Sequence, residues 1–312
     1  MTELAPLLML GAMYENGGNT THRLLDGHPQ MFVYPYESQL GTRLVNDELS
    51  AMFPVKYRWP VFALHATARD DYHAIIDEEA KVRCRTPHVS KFRHLPFDMS
   101  DDERRDRYVA IVAERGRDRA TNVSAFFAAT FDTWKDHKKT GREVFHVGYS
   151  PILVVDADKV LREMPNAHFV HVVRNPWSAY ADTKKRPVPL TLAQYLLGWV
   201  MNQHAALLVR QLFPKRLHIV RFEDIVADPR ATLGALCREL GLEQSDSLGT
   251  PSWNGTPLAQ VYPWGTIRHA TPEANLQTAY ELSGDELDEI RMRAAKYLDD
   301  FDYRSMVSSS RR

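Results

Sequence analysis

A layered α/β fold around a parallel sheet is predicted by two features of the sequence. Apolar runs at Pro6 to Met13, Ala167 to Val173 (AHFVHVV) and Arg216 to Arg221 (RLHIVR) have the length and composition of buried strands. Each gives way to a polar turn and then to a helical pattern, an alternation that lays helices on both faces of a parallel sheet. There is no internal repeat and no low-complexity block. Residues 1–304 therefore read as one domain carrying an insertion, followed by a small polar tail, Ser305 to Arg312, that is expected to fray.

Composition narrows the function. Of 312 residues, 44% are hydrophobic and 25% charged, enough for a sizeable core. With 39 basic and 40 acidic side chains the net charge is −1, which argues against a protein that coats nucleic acid but allows a local cationic pocket. Cys84 and Cys237 are the only cysteines, too few for an extracellular disulfide framework and without metal-site spacing. The run Leu4 to Met13 is too short to cross a bilayer and has no basic leader, so a cytoplasmic protein with no membrane span is expected.

Between the first strand and another near Val144 lies a charge-rich, mostly helical stretch, about residues 45–140, read as a cap over the sheet. Ser100 followed by Glu103 marks a helix start within it. Its aromatics, Tyr57, Trp59, Phe92, Phe97, Phe126 and Phe127, either pack a core or wall an acceptor pocket. Residues 222–242 read as a loop and an amphipathic helix, and 283–299 as a helix that Ser283 and Glu286 begin.

Two constellations carry chemistry. The first strand runs into Gly11-Ala-Met-Tyr-Glu-Asn-Gly-Gly-Asn-Thr20-Thr21 and then a helix; such a turn either converges backbone N–H groups on an anion or is a tight structural turn. Asn19 stands where a nucleotide-hydrolysing loop needs Lys, which disfavours a P-loop-type kinase. In the second, AHFVHVV leads directly into Arg174-Asn-Pro-Trp-Ser178 and on to Thr183-Lys184-Lys185-Arg186. An Arg at the carboxyl end of a buried strand sits where open α/β sheets bind ligands, and its planar fork suits phosphate, with Ser178 or Thr183 as neutral donors. The basic run 184–186 also reads as a solvated helix end.

LLDGHPQ after the loop, VHVVRNPWSAYAD after a strand and VRFEDIVADPRATLGALCRELGL near 220–242 occur in that order. Together they resemble the 3′-phosphoadenosine-5′-phosphosulfate-dependent sulfotransferases, in particular the branch with bacterial, carbohydrate and tyrosyl-protein enzymes. The resemblance spans roughly residues 5–40 and 145–300. It implies a P-loop-NTPase-like three-layer sandwich, that sulfate donor as co-substrate, no metal, and a small-molecule or carbohydrate acceptor. It further implies that Asn16, Gly17, Gly18, Asn19 and Thr20 cradle the donor's 5′-phosphosulfate and that Arg174 grips its 3′-phosphate. The family's serine partner for that arginine is replaced by Asp182, leaving Ser178 or, adjacent, Thr183. Trp264 to His269 resembles a late loop over the nucleotide, with Arg268 as a phosphate contact.

Glu15 occupies the position of the basic residue the family usually carries in its first loop, and Gly148-Tyr149-Ser150-Pro151 lacks the family's lysine. Lys184, Arg43 and Arg268 are the cations left to serve that end. For the base, the tyrosyl-protein branch points to Glu37, in Tyr34-Pro-Tyr-Glu-Ser38, with Glu15 as its rival and His146 and His88 behind them. Asp224 and Arg221 read as fold markers. A sulfotransferase-fold binding protein without catalysis is the further alternative.

Overall fold

The first apolar run is apolar at every position because its alternate residues face two different cores. In the computed structural model, which describes residues 4–259 and 270–307, Leu7 and Met9 of strand β1 (Leu7–Ala12) enter a core beneath the cap, while Leu8, Leu10 and Ala12 enter one on the opposite face. Phe169 and Val170 of β4 (His168–Val173) divide in the same way. With β2 (Met31–Val33), β3 (Phe145–Ser150) and β5 (Leu217–Arg221), these form a five-stranded parallel sheet of order β2-β3-β1-β4-β5. The predicted three-layer α/β arrangement is thus present. β2 was not legible in the sequence, because three residues show no periodicity.

Helix α1 (Gly18–Leu25) follows β1. The stretch expected to be a helical cap contains α2 (Ala68–Ala74), α3 (Glu78–Arg85), and two 15-residue helices, α4 (Asp101–Arg115) and α5 (Arg119–Thr133). The Ser100 side chain does accept from the Glu103 main chain. Trp59, Phe92, Phe97, Phe126 and Phe127 are buried in the core; Tyr57 turns elsewhere, as described below.

The cap is fastened by Arg58, which is fully buried. It donates to Asp156 at 2.6 and 3.0 Å and to Asp47 at 2.8 and 2.7 Å. Asp156 lies in the turn after β3 and also accepts the Trp59 main-chain N–H, so the cap entrance is tied to the sheet by a doubly bidentate clasp.

The second half supplies α6 (Ala157–Glu163), α7 (Pro176–Lys184), the 21-residue α8 (Leu192–Leu212), α9 (Phe222–Ala227), α10 (Pro229–Glu239) and α11 (Pro272–Ala279). The helix expected over 283–299 is two helices, α12 (Gly284–Arg293) and α13 (Ala295–Asp300). They break at Ala294 (φ −96°, ψ 4°), so that Leu298 and Phe301 turn into the core. Within the tail expected to fray, Val307 is buried and its carbonyl accepts from Arg291 at 2.9 Å. None of the described helices is long and apolar enough to cross a membrane.

Candidate functional site

β1 has β3 on one side and β4 on the other, so the loop after it opens beside the carboxyl ends of both neighbours. That is the switch point where parallel sheets of this kind take ligands. Two backbone features shape the loop. Gly17 has φ 85°, and a Cβ there would lie 2.1 Å from the Phe222 ring; a Cβ on Gly18 would lie 2.5 Å from the Tyr149 ring. Neither position accepts a side chain, because the Phe222 and Tyr149 rings fill that space and bury both glycines. Helix α1 has no side-chain cap and no acid in its first turn, which leaves its first N–H groups without intrahelical partners. Two buried oxygens nearby have no partner among the described residues: Asn19 Oδ1, in that first turn, and Ser150 Oγ, on the strand position paired with Gly11.

Asn16 does not face outward from this loop. It is fully buried, its Oδ1 accepting the Arg174 main-chain N–H at 3.1 Å and its Nδ2 donating to the Tyr14 carbonyl at 2.8 Å, so it fastens the loop to the end of β4. Thr20 is buried on α1.

Arg174 lies where the sequence placed it, but its guanidinium is already held from within. It is 1% exposed; Nη1 donates to Asp182 Oδ2 and to the Glu15 carbonyl, both at 2.8 Å, and Nε donates to Asn275 Oδ1 at 2.6 Å. Glu15 adopts φ 59°, a left-handed conformation that turns its carbonyl toward Arg174. Asn275, from α11, also donates to Glu223, which accepts from Asn175 and Tyr303 as well. Ser178 donates to the Asn275 carbonyl at 2.5 Å and Thr183 to the Ala179 carbonyl of its own helix at 2.8 Å. The basic run after them is paired too: Lys184 with Glu286 (2.8 Å), Lys185 with Asp182 (3.0 Å) and Glu281 (2.9 Å), and Arg186 with Glu15 at 3.9 Å, its guanidinium 4.4 Å from the Tyr14 ring centroid. Arg43 is exposed ahead of the cap, and Arg268 lies outside the described residues.

Glu37 lies on the other side of the loop. It follows β2 in a segment pinned by the Ser38 main chain and hydroxyl, both donating to the Tyr149 carbonyl. Its Oε2 accepts the Tyr57 hydroxyl at 2.6 Å, and Tyr57 packs edge-on against Tyr14 with ring centroids 6.5 Å apart. Tyr14 therefore joins the two sides. Burial pushes its hydroxyl up to about 12, against the pull of Arg186 and with a further push from Glu37. The Tyr57 phenol is raised further, by burial and then by the Glu37 carboxylate, so both hydroxyls remain proton donors at neutral pH. Close by, Glu79 of α3 is raised to about 7 by burial and by the charge of Glu37.

The histidines do not join this site. His146 is enclosed in the core, stacked 5.5 Å from Phe131, and burial pushes it down to about 3; His88 sits exposed on the cap. Arg221 ends β5 and Asp224 lies in the first turn of α9. Tyr14, Glu79, Glu223 and Asn275 carried no signal in the sequence; Arg186 did, in a basic run that also fitted a solvated helix end, and Tyr57 did, as an aromatic that either packs a core or walls a pocket. Among the described residues, no cluster of His, Cys, Asp and Glu has the makings of a metal site.

A family model described as the sulfotransferase family matches residues 9–246, well over half of the chain. The sulfotransferase domain of the Synechococcus PCC 7002 olefin synthase superposes with a TM-score of 0.57 at 15% identity, covering 97% of this chain and 96% of that one. Sulfotransferase STF9 from Mycobacterium avium superposes with a TM-score of 0.48 at 14% identity, covering 96% of this chain and 78% of that one. No curated protein matches the sequence.

Proposed function

The chain belongs to the sulfotransferase family, and from that premise we propose that it transfers a sulfuryl group from 3′-phosphoadenosine 5′-phosphosulfate to a hydroxyl or amine of a small-molecule or carbohydrate acceptor. The observation that carries the reading is the pairing of an uncapped, glycine-shaped anion turn with a tyrosine-held carboxylate across the same loop. We further take residues 1–304 as one catalytic unit with its cap at about 45–140. A cytoplasmic location fits its two unpaired cysteines.

The loop fits the 5′ end of such a donor. Gly17, Gly18, Asn19 and Thr20 offer main-chain N–H groups at a helix start, where the Asn19 Oδ1 also has no partner among the described residues. At the other end the fit is contested, because a 3′-phosphate would have to share Arg174 with Asp182.

When bound, the donor supplies a sulfuryl group activated by a phosphate leaving group. Glu37 is the general base: its carboxylate takes the acceptor's proton as the acceptor oxygen or nitrogen bonds to sulfur and the sulfur–phosphate oxygen bond breaks. Tyr57 fixes the carboxylate with one short hydrogen bond and leaves its second oxygen for the acceptor. The α1 N–H groups face the charge that grows on the departing phosphate. Glu15, the rival base, has its side chain directed to Arg186 and its carbonyl to Arg174, which suits it to holding the loop.

A thermal-shift titration with adenosine 3′,5′-bisphosphate tests the reading. At a hundred times its dissociation constant the ligand should add about 2.7 kcal/mol of stability. No shift with it, together with a shift from ATP and Mg²⁺, would replace the donor assignment with a kinase-like one.

A further inference from the structure

Arg186 differs from the other cations around the loop after β1. It lies just past the end of α7, where its main-chain N–H donates to the Thr183 carbonyl at 3.2 Å. From there the side chain reaches back to the loop: its guanidinium carbon is 4.4 Å from the Tyr14 ring centroid, and its Nε is 3.9 Å from Glu15 Oε1. Its neighbours are fastened more closely. Lys184 meets Glu286 at 2.8 Å, Lys185 meets Asp182 at 3.0 Å, and Arg174 donates to three acceptors at 2.6 to 2.8 Å. At 3.9 Å the Glu15 contact is beyond hydrogen-bond reach, so among the described residues the N–H donors of Arg186 remain free.

Its placement suits an incoming anion. A cation over an aromatic face is oriented without using any of its N–H donors. A planar fork held in that way can meet two oxygens of one phosphate or sulfate. The side chain is 32% exposed, so a ligand can reach it. Tyr14 and Glu15 lead directly into Asn16-Gly17-Gly18, the uncapped start of α1, and residues 13–20 contain no Lys or Arg of their own. Burial raises the Tyr14 hydroxyl, Arg186 pulls it down and Glu37 pushes it up, so the cation and the base act on one phenol from the two sides of the loop.

We propose that Arg186 binds the 5′-phosphosulfate of the donor, bringing from the end of α7 the positive charge that the loop itself lacks, with Glu15 as its tether. This rests on the donor assignment above. As the acceptor bonds to sulfur and the sulfur–phosphate oxygen bond breaks, the electron pair of that bond stays on the phosphate oxygen, and Arg186 meets the charge gained there.

Titration calorimetry of the full chain with adenosine 3′,5′-bisphosphate and with adenosine 3′-monophosphate measures what the 5′-phosphate contributes. In the wild type the bisphosphate should bind the tighter. In Arg186→Gln that advantage should shrink about ten- to a hundredfold, the worth of hydrogen bonds to a charged group, while the 3′-monophosphate binds as before. Arg186→Lys, which keeps the charge without the fork, should recover part of the loss. An undiminished advantage in Arg186→Gln overturns the proposal. So does an equal loss for both nucleotides, which would make Arg186 a support for the loop. If the wild type binds neither nucleotide, the donor assignment itself fails, and the role of Arg186 with it.

Discussion

The two sides of the loop after β1 differ in how their charges are met. Toward the end of β4, each of Arg174, Lys184, Lys185 and Arg186 meets a carboxylate of the same chain. Toward the cap, Glu37 accepts from the Tyr57 hydroxyl and Glu79 pairs with the half-exposed Lys91. An incoming anion on the first side gains only the difference between itself and the carboxylate it displaces.

If that contrast is right, its acceptor side should fail first and hardest. Glu37→Gln keeps the size of the side chain and removes its basicity; transfer, followed as acceptor-stimulated release of adenosine 3′,5′-bisphosphate, should fall by about 10²–10⁴-fold. The shift with that nucleotide should stay. On the other side, Arg174→Ala leaves Asp182 buried with only Lys185 for company. Urea denaturation should register a loss of about 3 kcal/mol, the lower end for a broken buried pair; a loss below 1 kcal/mol would mean the clasp is not structural.

The next comparison is by pH. Glu79 binds its proton more tightly folded, at about 7, than unfolded, at the ordinary carboxylate value of 4.5. Its contribution is therefore fully present below the lower value and is lost as pH rises through the upper one. Urea midpoints of the wild type and Glu79→Gln should diverge by roughly 3 kcal/mol across that window, with the variant gaining as pH rises. Parallel curves would count against the burial of a protonated acid. The smallest effect should come from Asp182→Ser, which frees the Arg174 guanidinium. Adenosine 3′,5′-bisphosphate should then bind roughly ten- to a hundredfold tighter, while adenosine 5′-monophosphate binds as before. Equal gains for both nucleotides would place the 3′-phosphate elsewhere.

The sheet was legible because its central strands are buried on both faces and so read as continuous apolar runs. β2 and the break at Ala294 were not, since one is too short for a pattern and the other depends on what Leu298 and Phe301 pack against. Arg174 was legible by position alone, as the first charge after a buried strand. Its state was not: Asp182 is two helical turns along, but Asn275 is 101 residues away and reaches it only through the fold. Glu79 was hidden differently. In Asp77-Glu-Glu-Ala-Lys-Val-Arg it looks like one more charge on a solvated helix, yet its side chain is only 10% exposed and pairs with Lys91.

The Arg58 clasp has a consequence for how this protein can vary. Its partners Asp47 and Asp156 belong to the cap entrance and to the turn after β3, so a cap exchanged from a relative would arrive without half of its own fastening. Any graft must carry Arg58, Asp47 and Asp156 together or leave a buried charge unmatched.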